Sequence, residues 1–89
     1  MDKKRIENII FKVSEMLSDP SLDMEVCEEG ANPPCVKVTY TTENGSKHQK
    51  TIDVMEELSD KSDDEIAKFI VFQTEQFMEE IDSVEYSGE

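Results

Sequence analysis

In two runs, Leu22–Val26 and Val36–Tyr40, apolar side chains return at every second position. Leu22, Met24 and Val26 alternate with Asp23, Glu25 and Cys27, and Val36, Val38 and Tyr40 alternate with Lys37, Thr39 and Thr41. A period of two is the pattern of a half-buried strand and cannot be laid on one face of a helix. Gly30, Pro33 and Pro34 lie between the two runs and are incompatible with a helix interior. The centre of the chain is therefore expected to be an antiparallel hairpin. Pairing across residues 28–34 sets Val26 opposite Val36, Met24 opposite Val38, Leu22 opposite Tyr40 and Glu25 opposite Lys37.

A third strand follows the turn signal Glu43-Asn44-Gly45. Parity chooses the loop, because a slip of one residue turns every side chain to the other face. A two-residue loop at Asn44-Gly45 would set Ile52 opposite Lys37. A three-residue loop, with Gly45 left-handed in a bulge, sets Ile52 opposite Val36 and His48 opposite Tyr40, and this is the expected arrangement.

Helical periodicity flanks the strands. Ile6, Ile9, Ile10, Val13, Met16 and Leu17 predict a helix over 3–17, stopped by Ser18-Asp19-Pro20. Its first turn holds Lys3, Lys4 and Arg5, the unfavourable sign for a helix N-terminus, so they answer to something other than the dipole. Met55–Leu58 is expected to form a helical turn. Ser62-Asp63-Asp64-Glu65 reads as a capping box opening a second long helix. Ile66, Phe69, Ile70, Gln73, Phe77 and Ile81 would line its inner face. Asp64, Glu65, Glu75, Glu79 and Asp82 fall on the far side with Lys68, and Phe72 falls among them. The expected fold is α+β, in the order α-β-β-β-α: a three-stranded antiparallel meander with both helices on the face holding Val26, Val36, Val38 and Ile52. Residues 1–89 form one domain, and Tyr86-Ser87-Gly88-Glu89 is expected to be a frayed tail.

The charge is as distinctive as the pattern. Twenty-two acids against nine bases give −13. They are concentrated: residues 19–36 hold Asp19, Asp23, Glu25, Glu28 and Glu29 with no base, and residues 55–89 hold twelve acids against Lys61 and Lys68. Such a surface repels nucleic acid and anionic membrane and speeds encounter with basic surfaces. At this length a single core gives modest stability, so a homodimer through the bare sheet face or an edge strand is expected.

Chemistry is sparse. Cys27 and Cys35 would be near neighbours across the first hairpin, within reach of a disulfide. In the absence of a secretory signal pattern they are expected to be free thiols. With His48 they fall short of a structural zinc set, and His48 has no evident nucleophile beside it. Asp60, Asp63, Asp64 and Glu65 lack the central Gly and closing Glu of a calcium loop. No metal, cofactor or enzymatic activity is expected. The expected location is the cytoplasm, or the host cytoplasm for a viral chain.

Phe72 has two readings: an added core contact beneath Met55–Leu58, which is the favoured one, or an interface anchor ringed by acids. The acids at Glu28 and Glu29 are expected to converge with those of the second helix. In size, acidity and helix-strand-strand-strand-helix order, the chain resembles small phage-encoded inhibitors that mimic DNA. These include Bacillus phage inhibitors of the histone-like protein HU, and some anti-CRISPR proteins. The resemblance implies an inhibitor that occupies the nucleic-acid site of a basic DNA-binding protein, histone-like or nuclease in type. Glu28, Glu29, Asp64, Glu65, Phe72, Glu75, Glu79 and Asp82 are the candidate contacts, chosen from the pattern. A small adaptor domain for a non-nucleic-acid partner is the alternative.

Overall fold

A computed structural model describes residues 3–28, 30 and 34–87. Helix α1 (Lys3–Leu17) is followed by strands β1 (Leu22–Val26), β2 (Cys35–Thr41) and β3 (Lys47–Asp53), a 3-10 turn (Glu56–Asp60) and helix α2 (Asp63–Ser87). The sheet is an antiparallel meander in the order β1-β2-β3. Helix α2 runs through Tyr86 and Ser87, so these two do not belong to a frayed tail.

The expected register is the observed one. Leu22 pairs with Tyr40, Met24 with Val38, Glu25 with Lys37 and Val26 with Val36. Across the second hairpin, Ile52 pairs with Val36 and His48 with Tyr40. The bulged loop makes that parity possible. The Thr42 amide donates to the Ser46 carbonyl at 2.9 Å and the Gly45 amide to the Thr42 carbonyl at 2.9 Å. Gly45 has φ +88°, the left-handed conformation that glycine adopts without steric cost.

Helix α1 ends where Ser18 turns left-handed at φ 43° and its amide donates to the Ser14 carbonyl at 2.8 Å. The Asp19 carboxylate then accepts from the Ser21 amide at 2.8 Å, redirecting the chain into β1. At the start of α2 the Ser62 hydroxyl accepts from the Glu65 amide at 3.2 Å, the N-cap contact expected of that motif.

Ile6, Ile9 and Val13 of α1, Val36 and Val38 of β2, Ile52 and Val54, and Ile66, Ala67, Ile70, Phe77 and Ile81 of α2 form one core. Two assignments shift. Met16 is exposed, and the inner face of α2 runs through Ala67 and Thr74, while Phe69 and Gln73 are half-buried. Val26 is also only half-buried, because it stands on the edge strand. Among the described residues, the fully buried Thr74 hydroxyl has no hydrogen-bond partner. A buried hydroxyl without a partner costs more than the methyl that replaces it. Thr74→Val is therefore expected to raise unfolding stability by about 1 kcal/mol, read from the urea midpoint at unchanged slope.

The structure explains Arg5 in the basic first turn of α1. Arg5 reaches across to the segment between the 3-10 turn and α2. Its Nε donates to Asp63 at 2.8 Å, and its terminal nitrogens donate to the Ser59 carbonyl at 3.1 Å and the Lys61 carbonyl at 2.8 Å. One planar fork thus holds together the turn, the linker and the first residue of α2. The site is partly solvent-exposed, which reduces the value of each contact. Arg5→Ala is expected to cost about 1–2 kcal/mol. Arg5→Lys should recover little of it, since an ammonium cannot make the same fork; urea unfolding of both variants checks this.

Cys27 and Cys35 form a disulfide with a Cα–Cα distance of 5.3 Å, in place of the expected free thiols. They continue the β1–β2 register, and the Cys27 amide donates to the Cys35 carbonyl at 3.0 Å. The ladder itself brings the two side chains together, on the sheet face away from the helices, where both are nonetheless buried.

Candidate acidic interface on the second helix

Both helices begin at the end of the sheet where β1 finishes. Arg5 and Asp63 meet there, and the Tyr40–Asp82 contact marks where α2 has travelled to the other end. From Asp63 to Asp82 an α-helix rises about 28 Å. The acidic residues singled out from the sequence are therefore spread along the molecule. Glu28 is exposed at the end where α2 starts, far from Glu79 and Asp82. Glu29 lies outside the described residues. The expected convergence of the first hairpin with the whole of α2 is not what the fold builds.

Along α2 the acids divide by what they touch. Asp63 is held by Arg5. Asp64 pairs with Lys12 of α1 at 3.0 Å. The hydrogen bond that Lys12 donates to Asp64, and then the charge of Asp64, raise the Lys12 pKa above the ordinary lysine value. Asp82 is half-buried and turned toward the sheet, where it accepts from the Tyr40 hydroxyl at 3.1 Å. Glu65, Glu75 and Glu79 are exposed and, among the described residues, have no ion pair.

Those three share one helical stripe with Lys68 and Phe72, since positions separated by three, four and seven residues stack on the same side. Phe72 is 57% exposed. That overturns its favoured assignment to the core: Leu58 of the 3-10 turn packs on the hydrophobic core, Met55 stays exposed, and neither covers the ring. The result is an outer stripe on a 25-residue helix that presents Glu65, Lys68, an exposed Phe72, Glu75 and Glu79 in line along the helix.

Sequence periodicity identified this stripe but not the partners that remove Asp64 and Asp82 from it. Lys12 and Tyr40 gave no local signal, because helix-to-helix and helix-to-sheet register depend on tertiary packing. His48, opposite Tyr40 as expected, is half-buried on the helix-facing side, beside Phe77 and Ile81.

The Tyr40–Asp82 contact has a pH signature. Burial, then the hydrogen bond to Asp82 and the negative charges of Asp82, Asp19 and Glu43, raise the Tyr40 pKa above its ordinary value. The folded state favours the neutral phenol. Its contribution is complete below the unfolded pKa of about 10 and is lost as pH rises through the higher folded value. Tyr40→Phe cannot ionise, so the stability advantage of the parent chain over this variant should shrink between about pH 8 and about pH 11. Urea midpoints of both proteins at the two pH values measure it.

Among the described residues there is no group of three His, Cys, Asp or Glu placed to hold a metal ion, and no helix long and apolar enough to cross a membrane. Compared with protein-family models, with curated proteins and with solved structures, the chain matches none.

Proposed function

We propose that this chain is an acidic decoy that occupies the nucleic-acid-binding face of a basic DNA-binding protein, histone-like or nuclease in type, and thereby inhibits it. The observation that carries the reading is the outer face of α2. Glu65, Glu75 and Glu79 are exposed and, among the described residues, have no ion pair, and they share one helical stripe with Lys68 and an exposed Phe72. A protein that binds DNA recruits it chiefly through lysine and arginine contacts to phosphate. Carboxylates fixed on a rigid helix offer those side chains the same sign of charge. A central aromatic ring adds the desolvated anchor that a purely ionic surface lacks. Asp64 and Asp82 serve this face indirectly, by tying α2 to α1 and to the sheet.

The proposed target belongs to the cytoplasm, a reducing compartment in which the Cys27–Cys35 bridge seen here would be reduced. The fold tolerates that, because the bridge closes only a short loop, worth about 2.5 kcal/mol by chain entropy. The main-chain bond between the same two residues remains.

The test is a capture from nuclease-treated bacterial lysate with this chain as bait, eluted in parallel with duplex DNA and with salt. Recovery of a DNA-binding protein in the duplex eluate supports the decoy reading. A partner that salt releases and duplex does not would assign the chain to the adaptor class instead.

A further inference from the structure

The edge strand β1 is built to accept another strand. In the β1–β2 ladder the odd-numbered residues are the hydrogen-bonded ones: the Cys27 amide donates to the Cys35 carbonyl at 3.0 Å, and the Thr41 amide to the Ser21 carbonyl at 3.0 Å. Hydrogen-bonded and non-bonded pairs alternate along an antiparallel ladder. The N–H and C=O groups of Met24 and Val26 therefore point away from β2, and no described residue pairs with them.

The side chains at this edge are likewise incompletely covered. Val36 and Val38 on the central strand are fully buried, whereas their partners Val26 and Met24 are only half-buried. Beside them a groove of about 450 Å³ runs between α1 and β1, where Ile10, Phe11, Met24 and Val26 form its apolar part and Lys3 and Glu7 of α1 also line it. Phe11 is 68% exposed. The other face of the same strand carries Asp23 and Glu25. From Val13 to Val36 the chain contains six acids, Glu15, Asp19, Asp23, Glu25, Glu28 and Glu29, and no lysine or arginine.

We infer that β1 binds an extended segment of another protein in which apolar residues alternate with lysine or arginine, added to the sheet as a fourth strand. Alternation meets both faces together. The apolar side chains enter the groove beside Met24, Val26 and Phe11, and the basic ones lie next to Asp23 and Glu25. Main-chain bonds to Met24 and Val26 give affinity, and the alternate side chains give specificity. Charge excludes a second copy as the preferred occupant. Two β1 strands paired edge to edge would bring Asp23 and Glu25 of each against those of the other, in chains that each carry −13. This surface does not involve the outer face of α2, so it stands or falls separately from the decoy reading.

The probe is a labelled ten-residue peptide of alternating lysine and valine, set against a peptide of the same composition in blocked order. The alternating peptide should bind at least about tenfold more tightly than the blocked one and slow amide exchange at Met24 and Val26. Met24→Pro removes one outward N–H without breaking the β1–β2 ladder, as edge strands tolerate, and should cost about tenfold or more in affinity. Asp23→Lys with Glu25→Lys leaves the main chain intact and should weaken the same peptide comparably. Neutralising Glu65, Glu75 and Glu79 should leave its binding unchanged. Equal binding of the two peptides would overturn the inference. So would protection of Met24 and Val26 without peptide in a chain that sediments as a dimer, which would assign the edge to a second copy.

Discussion

Replacing Ile70 with alanine is expected to destabilise the fold by about 2–5 kcal/mol. Ile70 is fully buried in the core that α2 shares with α1 and the sheet. Truncation removes three buried carbons and leaves a cavity lined by branched side chains that cannot collapse far. A chain of this length has a total stability of roughly 4–13 kcal/mol. One substitution therefore removes a large share of it, whereas Phe72→Ala on the opposite side of the same helix should change stability by less than about 0.5 kcal/mol. Urea unfolding of the two variants measures the contrast. A similar loss at both positions would mean that α2 is not packed with Ile70 inward and Phe72 outward.

The second large effect concerns binding. Glu65→Gln, Glu75→Gln and Glu79→Gln together should weaken the proposed complex with a basic partner roughly tenfold or more at low salt, because several like-signed contacts are lost at once. The deficit should narrow as salt rises, since the screening length falls from about 10 Å at 0.1 M to about 3 Å at 1 M. Phe72→Ala should weaken the complex with little change in salt dependence, the behaviour of a desolvated anchor rather than a charge. Titrations of the parent and both variants at several salt concentrations separate the two contributions. Unchanged affinity and slope in the triple variant would remove α2 from the interface.

The sheet was legible in the sequence because its constraints are discrete. A strand has two faces, so the alternation of Val36, Val38 and Tyr40 leaves two choices, and the left-handed Gly45 selects between loop lengths that differ by one residue. The helices were legible as elements but less so as surfaces. The inner face of α2 turns toward Ala67 and Thr74, two residues whose small or polar side chains carry little pattern, because α1 rather than the sheet alone decides which side of α2 is covered. Met16 extended the apolar period of α1 beyond the part that α2 and β1 actually cover.

The acidic site shows the same division. Periodicity placed Glu65, Glu75 and Glu79 on one stripe, and they stand there exposed. It also placed Asp64 and Asp82 on that stripe, but Lys12 and Tyr40 reach them from other elements. The three basic residues at the start of α1, unfavourable for the helix dipole, were a usable signal. Arg5 resolves it by holding the start of α2 through Asp63 and two carbonyls.

Competition for one surface is the direct test of the decoy reading. The basic protein recovered in the duplex eluate would be purified and bound to a fluorescently labelled DNA duplex, and this chain titrated in while anisotropy is followed. Mimicry predicts that the duplex is released, that half-release needs proportionally more of the chain as duplex concentration rises, and that the triple glutamine variant displaces it poorly. A duplex that stays bound while the chain joins it in a ternary complex would contradict a shared site, and with it the decoy function.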